Sequence, residues 1–382
     1  MNIDAGSFIT IRGSAPLVAT EYELEKLRCS GCGQIFTASL PDGIEKSKFD
    51  ATSDAMIALS RYELGVPMFR LSKIQSRMHM PVPESTQWER IEHLAAPCFA
   101  IYNKLQEVAA NGDLAYIDDT TAKIIDYSPP KNERKGLYTT GVVSKLKDKV
   151  VKLFFTGNRH AGENFGSLLK LRTNNNAIIQ MSDALASNMN HEMQTIICNC
   201  LTHCRRNFVA VYEEDPQKIN YIISLFAKIY HTEKTVLSKG LTADQRLMLL
   251  QKKCTKVMIK MRRWCLKMFY LNKVEPNSNM GLAIQYLLRH WNKLTQFLRV
   301  EGAPICNNIV ERLLKTAIVH RKNSLFYKTQ HGALIGDVMM SLIQTCVSAG
   351  KNPFEYLTAI GQSRSSVFKN PDKWLPWNFE TN

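Results

Sequence analysis

The sequence lacks any long hydrophobic run and any recognisable signal segment. No apolar stretch approaches the roughly 20 residues that a helix needs to cross a bilayer, and residues 1–16 contain no charged segment followed by an apolar core. The ten cysteines are scattered, without the pattern of a small disulfide-bonded domain. We therefore expect no contact with a membrane, a location in the cytoplasm, and cysteines that are core residues or metal ligands.

Acidic residues are in deficit. The chain has 34 of them against 49 lysines and arginines, which gives a formal net charge of +15 over 382 residues. A chain of this length exceeds one compact core, so we expect more than one structural unit. The basic excess permits binding of a polyanion through counterion release, although charge alone does not identify nucleic acid as the partner.

Three acidic residues stand in settings that suit catalysis. Asp118 ends a short apolar run, Asp183 follows another, and Glu311 lies within a helical pattern much later in the chain. Two strand-end carboxylates and one helical carboxylate can hold a pair of divalent metals on a phosphodiester. Mg²⁺ needs few protein carboxylates when phosphate oxygens complete its shell. The pattern therefore predicts phosphoryl transfer on nucleic acid.

The amino-terminal part predicts a polar loop followed by helices. The loop surrounds Cys29 and Cys32, and apolar spacing predicts helices over 50–64, 69–78 and 85–105. The two short helices around a tight turn resemble a helix-turn-helix, whose second helix would lie in a DNA major groove. An ordinary helical linker is the alternative, and the sequence leaves both open.

After residue 113 the sequence pattern changes from one typical of helices to one typical of strands. Stretches 114–127, 136–146 and 150–156 are rich in β-branched and aromatic residues, and turn-forming residues separate them. A helix at 162–171 and a fourth strand at 177–181 follow. This order is that of a ribonuclease-H-like fold, an α/β architecture with a mixed sheet. That fold places one acid on the first strand, one after the fourth and one on a late helix, as here.

The chain between Asp183 and Glu311 is predicted to be mainly helical. Its clearest helix covers 247–271, where five basic residues recur at spacings of three and four and form one ridge: Lys252, Lys256, Lys260, Arg263 and Lys267. Apolar residues occupy other positions of the helix: Val257, Met261, Trp264, Cys265 and Met268. The ridge is either a solvated face or a surface that follows DNA phosphates without reading sequence.

Several segments together resemble a known family, the insertion-sequence transposases of the "sixty-six" group, which are DDE enzymes of bacterial mobile elements. The segments are IDDT at 117–120, QMSD at 180–183, CLTHCRRNF at 200–208, PICNNIVER at 304–312, HRKN at 320–323, HGA at 331–333, SLIQTC at 341–346 and LPWN at 375–378. The resemblance runs from about Cys29 to the carboxyl terminus. No single motif is decisive, but chance does not easily produce their shared order.

The resemblance implies a catalytic triad of Asp118, Asp183 and Glu311 that binds Mg²⁺ or Mn²⁺. Asp119 stands where the family usually has glutamate, and adjacent strand residues point to opposite faces, so we expect only Asp118 to line the site. A helix-start or salt-bridge role for Glu311, with Asn308 or Lys315, is the alternative reading of that residue.

The resemblance also implies DNA contacts. The expected residues are His203, Arg205, Arg206, Arg321 and Lys322, because guanidinium groups match phosphate oxygens. The alternative for His203, Arg205 and Arg206 is a helix start that lies on the surface near the sheet edge. If the basic ridge follows the DNA backbone, Lys256, Lys260 and Arg263 are further expected contacts. Cys198, Cys200 and Cys204 around His203 lack the spacing of a zinc finger or ribbon, so we expect small buried residues there.

Cys29 and Cys32 form a C-x-x-C-G knuckle, which is half of a tetrahedral zinc site. The family provides another cysteine pair upstream, and this chain has none before Cys29. We favour an amino terminus that is shortened relative to the family. Completion of a Zn²⁺ site by His79, His93 or a second subunit, and a vestigial knuckle, are the alternatives.

The expected organisation is a partial zinc-knuckle region at 1–45, a helix-turn-helix-like region at 46–108, a ribonuclease-H-like catalytic domain at 109–345 and a tail at 346–382. A helical insertion is expected at about 210–290.

The expected function is metal-dependent DNA strand cleavage and strand transfer of a bacterial insertion sequence, near the nucleoid. The expected partners are the element ends, the target duplex, further copies of the chain and accessory proteins. Because Cys306 replaces a usual aspartate, an inactive DNA-binding relic is the second hypothesis.

Overall fold

The computed structural model describes residues 10–11, 13–44, 47–129, 134–188 and 195–380. Its strands are β1 Lys26–Arg28, β2 Ile35–Thr37, β3 Leu114–Thr121, β4 Tyr138–Leu146, β5 Lys149–Gly157, β6 Ile178–Ser182 and β7 Thr195–Asn199. Its α-helices are α1 Ala51–Tyr62, α2 Met68–Arg77, α3 Glu84–Ala110, α4 Ala161–Leu169, α5 Leu201–Ala210, α6 Pro216–Ser238, α7 Ala243–Tyr270, α8 Asn279–Arg289, α9 Trp291–Leu294, α10 Asn308–Ser324, α11 Gln330–Ser348, α12 Pro353–Gln362 and α13 Arg364–Lys369. Within these residues no helix is both long and apolar enough to cross a bilayer.

Five strands form one mixed sheet in the order β5-β4-β3-β6-β7. Strands β3, β4 and β5 form an antiparallel meander. On the other side of β3, β6 pairs with β3 in parallel and β7 pairs with β6 in parallel. Parallel neighbours need a crossover, which α4 supplies between β5 and β6. The predicted mixed sheet in an α/β architecture is thus present.

Two details of the sheet differ from the sequence prediction. The first strand ends at Thr121 rather than at residue 127, because the chain then leaves the sheet and pairs with the α10–α11 connection through a bridge between Ile124 and Tyr327. The strand β7 was not predicted at all. Its signal was present in Thr195, Ile196 and Ile197, but the run is only five residues long, and short apolar runs do not distinguish strands from helices.

The two faces of β3 contact different helices. The Thr120 hydroxyl accepts a hydrogen bond from Arg321 of α10 at 3.3 Å, whereas the carboxylate of the preceding residue, Asp119, accepts one from the backbone N–H of Ala161 in α4 at 3.3 Å. Gly141, which pairs with Asp118 across the strands, lets α10 approach. A Cβ at this position would lie 3.0 Å from Leu314. The start of α10 is therefore held close to Asp118.

Helix α11 covers the free edge of β5. Its residues Asp337, Ser341 and Thr345 recur every four positions, so they share one side of the helix. Their oxygens accept hydrogen bonds from backbone N–H groups of the strand, at 2.6 Å from Thr156, 2.9 Å from Phe154 and 3.0 Å from Lys152. An exposed strand edge can pair with a strand of another chain. These hydrogen bonds from α11 occupy the edge N–H groups of β5 and so prevent such pairing.

The helices between β7 and α10 enclose a second hydrophobic core. Its buried residues come from α5, α6, α7 and α8 and include Phe208, Phe226, Met258, Met261 and Ile284. The predicted helices of the amino-terminal part are also present as α1, α2 and α3, and α1 and α3 bury residues in the same core cluster as the sheet. The predicted domain boundaries, and the DNA-reading role of α1 and α2, stay predictions.

Candidate active site

Asp118 and Asp119 point to opposite sides of β3. Asp118 faces α10, as its cross-strand partner Gly141 does. Asp119 instead accepts hydrogen bonds at the start of α4, from the backbone of Ala161 and through a 2.9 Å contact with Nδ1 of His160. Its carboxylate is therefore already engaged on the far face. This division follows from the alternation of side chains along a strand.

Asp183 lies directly after β6, the parallel neighbour of β3. Its Oδ1 accepts hydrogen bonds from the side chain of Asn188 at 2.6 Å and from the backbone of Leu185 at 3.2 Å. Its own carbonyl accepts a hydrogen bond from the side chain of Asn199 at 3.1 Å. Because the carboxyl ends of β3 and β6 lie at the same edge of the sheet, this network fixes Asp183 on the same side as Asp118.

Glu311 lies in the first turn of α10. The buried Asn307, just before the helix, donates from its side chain to the carbonyl of Ile117 at 3.0 Å, so the helix start is tied to the residue before Asp118. Glu311 pairs with Arg206 of α5, with 2.7 Å between Nη2 and Oε2. The alternative partner Lys315 is exposed and forms no ion pair with it among the described residues.

The electrostatics couple the three acids. Burial and, after it, the neighbouring charges of Asp183, Asp119 and Glu311 together raise the pKa of Asp118 to about 7, against one stabilising hydrogen bond from the Asp119 backbone. Like charges that interact this way must lie near one another. Three acids from a strand, a strand end and a helix thus share one negatively charged environment at the sheet edge.

The residues predicted to contact DNA fall into three groups. His203 and Arg206 contact Glu311, at 3.8 Å and 2.7 Å, whereas Arg205 lies half-buried on the same helix. Arg321 donates to Thr120 and Thr121 at the end of β3, so it joins α10 to the sheet. The exposed side chains are Lys322 and the five members of the basic ridge on α7, Lys252, Lys256, Lys260, Arg263 and Lys267.

The cysteines separate into buried and exposed groups. Cys198, Cys200 and Cys204 are buried, as predicted. Cys29 and Cys32 lie at the turn between β1 and β2, where Cys32 is exposed and backbone hydrogen bonds from Cys32 and Gly31 lower the pKa of Cys29. Among the described residues no third ligand joins them in a metal-sized group. The half-buried Cys306 packs against both hydrophobic cores.

Sequence analysis missed the residues that position the acids. Asn188, Asn199 and Asn307 hold Asp183 and the start of α10, and Gly141 makes room for α10. Asn308 was visible as a capping signal, but the structure gives the contact with β3 to its neighbour Asn307. Asn188 lies only five residues from its partner Asp183, whereas the partners of Asn199, Asn307 and Gly141 are farther away in the sequence.

Comparison with known proteins identifies the family. The sequence profile of the family described as "Transposase IS66 family" matches residues 46–334. The chain belongs to this family. It is similar to two uncharacterized proteins of Sinorhizobium fredii, y4qI, with 25% identity over 344 residues, and y4jD, with 31% identity over 186 residues.

The aligned regions cover only part of these relatives. The match to y4qI spans 85% of this chain and 62% of that protein, and the match to y4jD spans 47% of this chain and 35% of that protein. The chain therefore spans less than two thirds of the length of both. The family assignment holds for the matched region, and the activity, substrates and partners of this transposase-family chain are taken up as proposals.

Proposed function

We propose that the chain catalyses metal-dependent cleavage and transfer of DNA strands, with Asp118, Asp183 and Glu311 as the catalytic acids. The observation that carries the proposal is that Asp118 is buried beside Asp183 and Glu311, and that burial and these like charges together raise its pKa to about 7. Perturbed carboxylates from separate segments that meet at one edge of a sheet are typical of functional sites. DNA is the substrate that the transposase family suggests.

The sheet supports a ribonuclease-H-like architecture. Its strands follow the order of that fold, with a three-stranded meander and two added parallel strands. Asp118 lies on the first strand of the sheet, Asp183 after the fourth, and Glu311 on a later helix. In open α/β sheets, ligands bind at the carboxyl ends of parallel strands, and the parallel pairing of β3 with β6 supports a site at the edge that carries Asp118 and Asp183.

The residues present fit a hard divalent cation such as Mg²⁺ or Mn²⁺. Glu311 Oε1 is buried and has no hydrogen-bond partner among the residues that the structure describes, and burial and neighbouring acids destabilise the ionised form of Asp118, so added positive charge would stabilise both. All three donors are oxygens, which Mg²⁺ prefers. Bound metal would stabilise the charge on the attacking and leaving oxygens of a phosphodiester displacement.

The chain's own residues supply the positioning. Asn188 orients the Asp183 carboxylate, and Asn307 holds α10 so that Glu311 faces β3. Arg206 is exposed over about half of its side chain, so its guanidinium could contact a DNA phosphate beside Glu311. Water would be the attacking group in cleavage, and a freed 3′ hydroxyl in strand transfer at the same acids.

Other parts of the chain have proposed roles in DNA binding. The helical core of α5 to α8 forms the proposed insertion at about 210–290, and its exposed basic ridge on α7 would follow the DNA backbone. The region 46–108 would contact the element end, and the knuckle at Cys29 and Cys32 would bind Zn²⁺ only with ligands from elsewhere. We propose that copies of the chain assemble on DNA, as joining two element ends requires.

A non-catalytic DNA-binding relic is the second candidate, favoured by Cys306 at a position where the family usually has aspartate. The three acids argue against it. Carboxylates that repel one another destabilise the protein unless a cation binds, and a relic gains nothing from keeping them.

The substitution Asp183→Asn tests the proposal. The amide keeps the size of the side chain but removes a metal-binding oxygen, so Mg²⁺-dependent nicking of element-end DNA should be lost, whereas duplex binding should be unchanged or slightly tighter. Asp148→Asn, at the exposed β4–β5 turn, is the matched control and should nick like the parent. If Asp183→Asn nicked DNA as fast as the parent and Asp148→Asn do, a catalytic role for Asp183 would be contradicted.

A further inference from the structure

The first turn of α5 presents a second set of potential metal ligands beside the three acids. Cys200 is the residue before the helix and His203 lies three positions later, so both side chains lie on one side of the helix. Helix α10 adds Glu311 from a distant part of the chain. The Cys200 sulfur, an imidazole nitrogen and a Glu311 oxygen all lie within 4.8 Å of one another.

Hydrogen bonding holds the two helices in this arrangement. The backbone N–H of Asn307, which precedes α10, donates to the Cys200 sulfur at 3.2 Å. The same asparagine donates from its side chain to β3. Cys200 is therefore a fixed acceptor between both helix starts, and an N–H group aimed at the sulfur would stabilise a metal-bound thiolate.

Arg206 shows that the position between these groups accepts a cation. Its guanidinium donates to Glu311 Oε2 at 2.7 Å and lies 3.3 Å from Nε2 of His203. A guanidinium has no acceptor atom, so Nε2 of His203 is the acceptor in this contact. His203 and Glu311 thus both turn an acceptor atom towards the same cationic group.

Two atoms of the cluster lack partners. Within the described part of the chain, Glu311 Oε1 and His203 Nδ1 are both buried without a hydrogen bond, and Glu311 Oε1 lies 3.8 Å from His203 Nε2. This separation is too long for a hydrogen bond. It is close to the roughly 3.4 Å that separates nitrogen and oxygen ligands of one tetrahedral zinc ion with bonds of about 2.1 Å.

We propose that Cys200, His203 and Glu311 form a binding site for one soft divalent cation, such as Zn²⁺, in which the cation replaces the Arg206 guanidinium. One sulfur, one nitrogen and one oxygen ligand form a three-ligand zinc set with a fourth, open position. Mg²⁺ avoids thiolate and imidazole ligands, so this site differs in metal preference from the three acids.

The two sites share Glu311, which gives the second one a regulatory consequence. A soft cation bound to Cys200 and His203 withdraws the Glu311 carboxylate from Asp118 and Asp183. Zn²⁺ should therefore inhibit Mg²⁺-dependent nicking. This consequence rests on the proposed function, whereas the binding of the cation does not.

Co²⁺ binding to the full chain tests the site without DNA. The probe replaces Zn²⁺ and gives a thiolate-to-metal absorption band when cysteine is a ligand. The background is Cys29→Ser/Cys32→Ser, which removes the knuckle as a competing site. We expect one bound Co²⁺ with this band, loss of the band in Cys200→Ala, and its retention in Cys204→Ala, a matched buried cysteine on the same helix.

Two further variants keep the test decisive if Cys200→Ala does not fold. His203→Asn should retain the band but weaken Co²⁺ binding by about tenfold or more, since even outer-shell partners contribute about that much. Arg206→Gln should strengthen binding, because the competing guanidinium is gone; a purely structural Arg206 would have no such effect. Absence of the band in the background protein, or its persistence in Cys200→Ala, would overturn the site.

Titration of Zn²⁺ into the nicking reaction separates the two proposals. At fixed Mg²⁺ we expect inhibition that needs at least about tenfold more Zn²⁺ in His203→Asn. If no protein nicks DNA but the Co²⁺ band behaves as expected, the proposed function fails and the soft-cation site stands. If nicking occurs and the band is absent, the opposite holds.

Discussion

Asp118 and Gly141 are direct neighbours across β3 and β4, and both face the first turns of α10. The missing side chain of Gly141 is what allows α10 to lie against the sheet beside Asp118. A Cβ there would lie 3.0 Å from Leu314 and 3.2 Å from Val310, the residue next to Glu311. The distance between two of the proposed catalytic acids, Asp118 and Glu311, thus depends on a residue with no side chain.

We expect Gly141→Val to push α10 away from β3. Overpacking of a core typically costs about 1–3 kcal/mol, and the displaced Glu311 should reduce nicking more than the loss of stability explains. Urea unfolding and nicking assays at a temperature where the variant is folded would measure both. Gly157→Val is the control, because nothing lies within 4 Å of a Cβ at that position of β5. Equal effects at both positions would contradict this account.

We expect Asp118→Asn to stabilise the metal-free protein. Its pKa is raised from 3.8 to about 7 in the folded state, so at pH 8 the carboxylate is ionised in both states but is less favourable in the folded one. The neutral amide should therefore raise the free energy of unfolding by about 1–2 kcal/mol at pH 8. The variant should also lose any rise of the melting temperature with Mg²⁺. Thermal unfolding with and without Mg²⁺ measures both effects.

Asp119→Asn is the contrasting variant. It weakens the contacts with His160 and Ala161, so we expect a loss of about 1 kcal/mol and a retained response to Mg²⁺. If Asp119→Asn instead abolished the Mg²⁺ response and Asp118→Asn kept it, the assignment of the two faces would be wrong.

Asp337 should make stability fall with rising pH. Burial raises its pKa to about 7, partly offset by hydrogen bonds from the side chain and backbone of Thr156. Between about pH 4 and 7 the folded state therefore holds a proton that the unfolded state has released, so the contribution of Asp337 decreases by up to about 1.4 kcal/mol per pH unit. It is fully present below the unfolded pKa and lost above pH 7.

The substitution Asp337→Asn should remove this dependence. The amide oxygen accepts from the Thr156 N–H, and the amide nitrogen donates to the Thr156 hydroxyl. Relative to the parent, its free energy of unfolding should rise by roughly 2 kcal/mol from pH 5 to pH 8. Ser341→Ala, which leaves the N–H of Phe154 unpaired, should cost about 1–3 kcal/mol equally at both pH values. A pH-independent difference for Asp337→Asn would refute the buried-proton account.

The basic ridge of α7 predicts a specific salt dependence of DNA binding. Its five side chains are exposed, and each phosphate contact changes the slope of log affinity against log salt by about 0.9. Lys256→Ala/Lys260→Ala should therefore flatten the slope by roughly two units and weaken cognate and random duplexes equally. Folding should be almost unaffected. An unchanged slope would place the DNA path elsewhere, past His203, Arg206 and Arg321.

The sequence by itself determined the local features of the fold. Alternating and helical apolar patterns predicted β4, β5, β6 and the three amino-terminal helices, because periodicity along the chain reports which side of an element is buried. The alternation of a strand also predicted that Asp118 and Asp119 separate, and the structure shows Asp119 engaged with α4. The ordered motifs predicted the transposase family, which the profile match confirms.

Tertiary structure alone decided how distant residues combine. The spacing of Cys200 and His203 is not that of a zinc finger or ribbon, so the sequence predicted small buried residues there, whereas folding brings Glu311 of α10 close to both. The end of β3 at Thr121, the strand β7, and the contacts of Asn199 with Asp183 and of Asn307 with β3 were likewise not predictable. Each depends on a contact between segments that are far apart in the sequence, which the periodicity of one segment does not report.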